Sequence, residues 1–247
     1  GANTGATNTA VGDNALLANT TGANNTAVGA LAGDAITTGL GNVAVGYRSL
    51  SSNTTAASNT AIGVDALTSN TTGTSNTAVG RDTLNQQTTA SYNTALGHQA
   101  LNLNTSGANN TASGYKALYA NTTGTENSAF GGYAGLAITT GDSNTALGYA
   151  ALYTATTADN NTAIGHMALK LTTTGHSNVA LGSDTLSANT TGQENTALGS
   201  QALKTNTTAS DNVAIGRQTM YANTTGANNV AVGAYALDAN TTAANNT

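Results

Sequence analysis

Three histidines, eleven carboxylates, six Lys or Arg residues and nine tyrosines are the side chains of this 247-residue chain that could do chemistry. Clustered His with a carboxylate would hold zinc, a Ser-His-Asp group would activate a nucleophile, and acids at the G-G-x-G-x-D spacing would bind calcium in a β-roll. The sequence repeats every seventeen residues, and His98 and His166 fall at the same place in that repeat, four repeats apart, with His176 on a different turn. A shared metal has no geometry there, and the histidines read as surface residues. The acids, from Asp13, Asp34, Asp65 and Asp82 through Glu126, Asp142, Asp159 and Asp184 to Glu194, Asp211 and Asp238, scatter over variable positions and lack the calcium spacing. Tyr115 with Tyr119, and Tyr149 with Tyr153, place two aromatics in one repeat, where a sugar ring could stack or where they simply decorate a solvated face. No phosphate-loop pattern occurs. No catalytic, cofactor-binding or metal-ligating residue is assigned, and the chain is expected not to be an enzyme and to need no cofactor.

The repeat itself carries more information. Asn recurs at positions 8, 25, 42, 59 and onward to 246, each of the first fourteen opening a near-copy of N-T-A-V-G-x-x-A-L-x-x-N-T-T-G-x-x with no insertion or deletion. A strict period in this range means stacked units that touch mainly their neighbours. We number each repeat from its Asn. Position 4 is apolar in thirteen of fourteen repeats, with Ser113 the exception, and position 2 is Thr, Val or Ser. Two such positions spaced by two share one face, which predicts a short strand over positions 1 to 5. Position 3 is Ala every time, from Ala10 to Ala231, which implies a close-packed approach on the opposite face and a strand buried on both sides. Gly fills position 5 in all fourteen repeats, pointing to positive φ or a backbone contact at a corner.

A second strand is expected over positions 7 to 11, because position 9 is Leu or Met in twelve repeats while positions 6, 7 and 10 carry nearly all the charges and tyrosines. Position 15 is Gly nine times and Ala five times, so it needs a small side chain but not positive φ. The N-T-T-G-x-x segment returns the chain to the next Asn as a turn. Asn at position 1 and at most position-12 sites is expected to form amide ladders along the stack. Triplets such as Asn19-Thr20-Thr21 and Asn121-Thr122-Thr123 also match the N-glycosylation pattern, but the ladder already accounts for them. In the repeats opening at Asn25 and Asn127, position 9 is Gly (Gly33, Gly135) and position 12 is Ile (Ile36, Ile138), and the Ile is expected to swing in and fill the volume Leu leaves.

The fold expected is all-β: a parallel β-solenoid of about fourteen 17-residue coils, rising about 4.8 Å per coil, with residues 1–247 one continuous array. One Leu and one Val per coil make a thin core, so several chains are expected to share an axis and bury the Ala face against one another. The chain starts at position 11 of a repeat and stops at position 2, which suggests a fragment of a longer fibre. Only 7% of residues are charged and the net charge is −5, which argues against nucleic acid and against a polybasic membrane contact. No apolar run is long enough to span a bilayer, and the absence of Cys leaves the redox compartment open.

Asn42-Val43-Ala44-Val45-Gly46, Asn178-Val179-Ala180-Leu181-Gly182 and Asn212-Val213-Ala214-Ile215-Gly216 resemble the S-V-A-I-G head repeat of YadA-like trimeric autotransporter adhesins, and the longer unit is similar to repeats of phage tail fibres. The resemblance spans the whole chain; it implies a left-handed β-roll, a homotrimer, possible end-to-end association, a host or cell-surface glycan or receptor as partner, and an extracellular, cell-surface or virion location. The unit is longer than that of the adhesin heads, and no stalk, barrel or neck accompanies it. The function expected is a structural fibre or adhesin shaft that spaces and presents an attachment tip. The alternative is an ice-binding β-solenoid using Thr ladders, although the doublet is T-T rather than T-x-T, so neighbouring side chains point to different faces.

Overall fold

A computed structural model describes residues 7–247 of the chain. It contains fourteen three-residue strands, all parallel, in two compact units, Gly1–Thr125 and Glu126–Thr247. The first unit holds β1 (Thr9–Val11) to β7 (Thr111–Ser113), and the second β8 (Ser128–Phe130) to β14 (Val230–Val232). In each unit the strand order is the chain order, and successive strands of the unit pair in register, as Ala10 with Ala27 in the first unit and Ala163 with Ala180 in the second. The fold is the parallel β-solenoid that the period predicts.

The strand occupies positions 2 to 4, inside the range expected, and its faces are the reverse of the expectation. Ala at position 3 points into the coil of its own chain, fully buried at Ala27, Ala61, Ala163 and Ala214, whereas Thr or Val at position 2 and the larger apolar residue at position 4 face outward. Ala is obligatory because the coil is thin: in the coil from Asn59 the interior takes Asn59, Ala61, Ala66, Leu67, Asn70 and Gly73 and leaves no room for a larger side chain at position 3. An Ala column shared between chains, with Ala112 and Ala129 at an interface, is therefore corrected. Both residues are interior to the single chain.

The second strand does not form. Positions 5 to 8 close a turn, with Ala66 N–H donating to Gly63 O at 3.4 Å, and positions 9 to 12 close another, with Asn70 N–H donating to Leu67 O at 3.4 Å. Position 7 lies in the left-handed region in every coil, at φ 54° to 62°, as the third residue of a type II turn requires. Leu or Met at position 9 lies there too, as at Leu118 with φ 50°, and so does position 17. Left-handed backbone is unusual for Leu, but here it turns the side chain into the core: Leu50, Leu101, Leu152 and Leu203 are buried completely. Coil-to-coil backbone bonds nonetheless continue through the turns, as from Leu67 N–H to Thr83 O at 2.9 Å and from Ser69 N–H to Asn85 O at 3.2 Å.

Gly at position 5 has φ between +120° and +141° throughout, a region closed to other residues, and a Cβ on Gly148 would lie 2.5 Å from Gly165 O. Both reasons proposed for that glycine hold together. Position 15 has ordinary φ at its glycines and needs only a small side chain, as expected.

The polar interior is made by the Asn columns. Asn178 Oδ1 accepts from Asn195 N–H at 3.1 Å, and Asn178 Nδ2 donates to Gly192 O at 2.9 Å, so one amide satisfies the backbone N–H of the next coil and a carbonyl of the return turn. The same pair of contacts recurs at Asn42 and Asn161. Position-12 Asn forms a second ladder, Asn206 Nδ2 reaching Asn189 Oδ1 at 3.1 Å. Buried polar groups must be paired, and this pairing is what fixes Asn at those sites.

Candidate functional site

The two turns of each coil project positions 6, 7 and 10 outward, and the decorated strip they form is the candidate site. All six Lys and Arg residues and eight of the nine tyrosines stand there, with six of the eleven acids; Glu126, Asp142, Asp159, Glu194, Asp211 and His176 stand instead at positions 16 and 17. His98 stacks on Tyr115 with ring centroids 5.6 Å apart, and His166 on Tyr149 at 5.7 Å. His98 Nε2 also lies 3.8 Å from Asp82 Oδ2, and Arg48 Nε lies 3.4 Å from Asp65 Oδ1. Pairs this exposed contribute little to stability.

The two tyrosine pairs flank their turns, and the space between them is used differently. In the coil from Asn110, Lys116 at position 7 places Nζ 5.5 Å from the Tyr115 ring and 5.1 Å from the Tyr119 ring, a cation over both faces. In the coil from Asn144, position 7 is the buried Ala150, and Tyr149 and Tyr153 flank an open groove of about 360 Å³ lined also by Tyr133, Met167 and Lys170. Tyr133 closes one end, edge-on to Tyr149 at 5.8 Å and to Tyr153 at 6.2 Å. A second groove, about 340 Å³, lies among Gln218, Tyr221, Tyr235 and Asp238. The sequence showed the tyrosine pairs but not the grooves, because the deciding residue is the small one between them.

Among the carboxylates, Asp34 stands apart. Burial pushes its carboxyl above the ordinary range, against the pull of backbone N–H groups of Asp34 and Ala35 and of the Arg48 guanidinium, and its Oδ1 has no hydrogen-bond partner. Asp34 sits at position 10 of the coil whose Leu is replaced by Gly33. It has no second carboxylate or His in a catalytic arrangement beside it. Among the described residues no three His, Asp or Glu side chains come together as a metal-binding group.

The polar columns are structural. Thr at position 13 donates its hydroxyl to the carbonyl of the same Thr one coil on, as from Thr190 to Thr207 at 2.9 Å, whereas the neighbouring position-14 Thr is exposed. Asn53, Asn121 and Asn223, each opening an N-T-T triplet, are buried, so their amides are out of reach of a glycosyltransferase in the folded chain. On the outward sheet face position 4 is apolar beside the Thr or Val of position 2: Val28, Ile62 and Leu96 in the first unit and Phe130, Leu147, Leu181 and Leu198 in the second are 37% to 45% exposed. Among the described residues no helix is long and apolar enough to cross a membrane. No protein-family model, curated protein or solved structure matches the chain.

Proposed function

We propose that this chain is a shaft segment of an extracellular or virion fibre or adhesin, spacing and presenting an attachment tip, and that its coils assemble as a homotrimer through the outward sheet face. The observation that carries the reading is the column of half-exposed Val, Ile, Leu and Phe side chains at position 4. Soluble monomers rarely display so long a line of large apolar groups, and burying it against copies of the same chain removes it from water. The interface thus moves from the Ala face to the face opposite. Regular length, few charges and the absence of a reactive constellation among the described residues suit a spacer.

Light scattering on the purified chain tests the assembly. A mass of three chains of 24.2 kDa is expected, and Leu147→Asp with Leu181→Asp should reduce it to one chain without unfolding the coil, since neither residue is interior. A wild-type mass of one chain would remove the trimer. The ice-binding reading draws on the exposed position-14 Thr column, but the adjacent position-13 hydroxyls are turned to backbone carbonyls and the other outward Thr column, at position 2, is interrupted by Val43, Val179, Val213 and Val230. A thermal-hysteresis measurement separates the two: activity in the purified chain would favour ice, and its absence the fibre.

A further inference from the structure

We infer that the groove between Tyr149 and Tyr153 is a binding subsite for a pyranose bearing a carboxylate, such as a uronate or sialate unit of a glycan. The proposal goes beyond the shaft reading and does not depend on it, because the groove lies on the turn strip and not on the outward sheet face. Its volume of about 360 Å³ falls within the range of roughly 300–1,000 Å³ usual for small-molecule sites.

The argument starts from an internal comparison. The same tyrosine pair occurs twice, at positions 6 and 10 of the coils from Asn110 and Asn144, and position 7 between them has the same backbone, φ 55° at Lys116 and 54° at Ala150. In the first coil the Lys116 ammonium occupies the space over both rings. In the second, Ala150 forms only a floor, and the space between the two tyrosines stays open to a guest even though Tyr149 stacks on His166 with one face. Gly132, the one glycine at position 6 among the repeats, stands beside Tyr149 with no side chain on that ring; a Cβ there would come into ordinary contact with Tyr149 Cδ2 at 3.6 Å. Tyr133 then fixes both rings by edge contacts, so the walls are held in place before a guest arrives.

The lining determines the chemistry of the guest. Three tyrosines line the groove with apolar ring surface and phenolic hydroxyls, which suits a ring with an apolar face and polar edges. Lys170 lines the groove, the lining contains no acid, and among the described residues no carboxylate lies within ion-pair distance of Lys170. A cationic guest would meet that ammonium unopposed. A carboxylate on the ring would pair with it.

The test is titration of the purified chain with tetragalacturonate, a hyaluronan tetrasaccharide and 3′-sialyllactose, followed by saturation-transfer NMR and calorimetry, with methyl-esterified tetragalacturonate as the neutral counterpart. At least one acidic glycan is expected to bind at millimolar or tighter affinity. Tyr153→Ala should weaken it about tenfold by removing one stacking wall. Lys170→Met should weaken the acid about three- to fivefold and leave the ester unchanged. Ala150→Lys, which installs the filling side chain of the other coil, should abolish binding while leaving thermal unfolding where it was. No binding of any of the three acids at 10 mM (roughly −3 kcal/mol), or wild-type affinity in Ala150→Lys, would overturn the subsite. Neither result bears on the mass measured by light scattering, so failure here and failure of the trimer are distinct.

Discussion

A Cβ placed on Gly33 would stand 2.9 Å from Cδ1 of Ile36, so these two residues share one Leu-sized volume and only one of them can fill it. Ile36 does, at 1% exposure, and the same exchange occurs at Gly135 and Ile138, the latter also 1% exposed. The exchange also ends a ladder: Asn19, which stacks beneath Ile36 at position 12, is buried with neither amide atom hydrogen-bonded.

That relation predicts strong coupling. Ile36→Asn alone should destabilise by about 2–5 kcal/mol by opening a cavity, and Gly33→Leu alone by about 1–3 kcal/mol through overpacking. Combined, they recreate the common coil, with Leu at φ near that of Gly33 and a donor for Asn19. The double variant should be more stable than either single one in urea unfolding; simple additivity would show that the two sites do not share the space.

The Asn ladder gives a second test. Asn178→Ala leaves the backbone N–H of Asn195 without its partner, while Gly192 O keeps the Asn189 Nδ2 donor at 3.0 Å, and one buried unsatisfied group should cost about 1–3 kcal/mol. Asn178→Asp keeps the acceptor and loses the donor. Buried, that carboxyl takes its proton more readily in the folded state than in the unfolded one, so the variant should gain stability as pH falls, where the proton restores the donor. A pH-independent deficit would count against the ladder.

Two kinds of glycine should respond differently to Ala. Gly148→Ala forces a Cβ into a region of φ +133° and against Gly165 O, which should cost about 3 kcal/mol or more from strain and overlap together. At position 15 φ is ordinary, and Ala already stands there in five repeats. A Cβ on Gly175 would also overlap Gly192 O, but without strain in φ a shift of the coil relieves the overlap, as where Ala already stands, so Gly175→Ala should cost about 1–3 kcal/mol and less than Gly148→Ala. Equal losses in denaturant titrations would refute the distinction.

Asp34 predicts a pH effect of definite sign. Its folded pKa is raised by burial, so the folded state binds the proton more tightly than the unfolded state, and the ionised carboxyl destabilises above that range. Asp34→Asn should raise the melting temperature at pH 7, and the difference should shrink as pH falls through the carboxylate range. A difference that grows on acidification would reverse the assignment.

The sequence by itself determined the stack. A period of seventeen without a slip dictates in-register parallel pairing, since each residue must meet its own copy one coil on, and Asn178 above Asn161 or Gly165 above Gly148 follows at once. It also placed every Lys and Arg and all but one of the tyrosines on positions 6, 7 and 10, where side chains vary because the turns carry them away from the core. Only tertiary structure decided which face of the strand is inside. Alternation says that Ala27 and Val28 point opposite ways, not which way; a coil too thin for Val takes Ala inward and leaves Val28 on the surface. Nor could local preference show the left-handed turn at Leu118, because isolated Leu avoids that region and only the stacked coil, by burying the side chain and pairing its backbone, holds it there. The groove at Ala150 has the same origin: it exists because neighbours a coil away, Tyr133 and Lys170, are brought beside a residue too small to fill it.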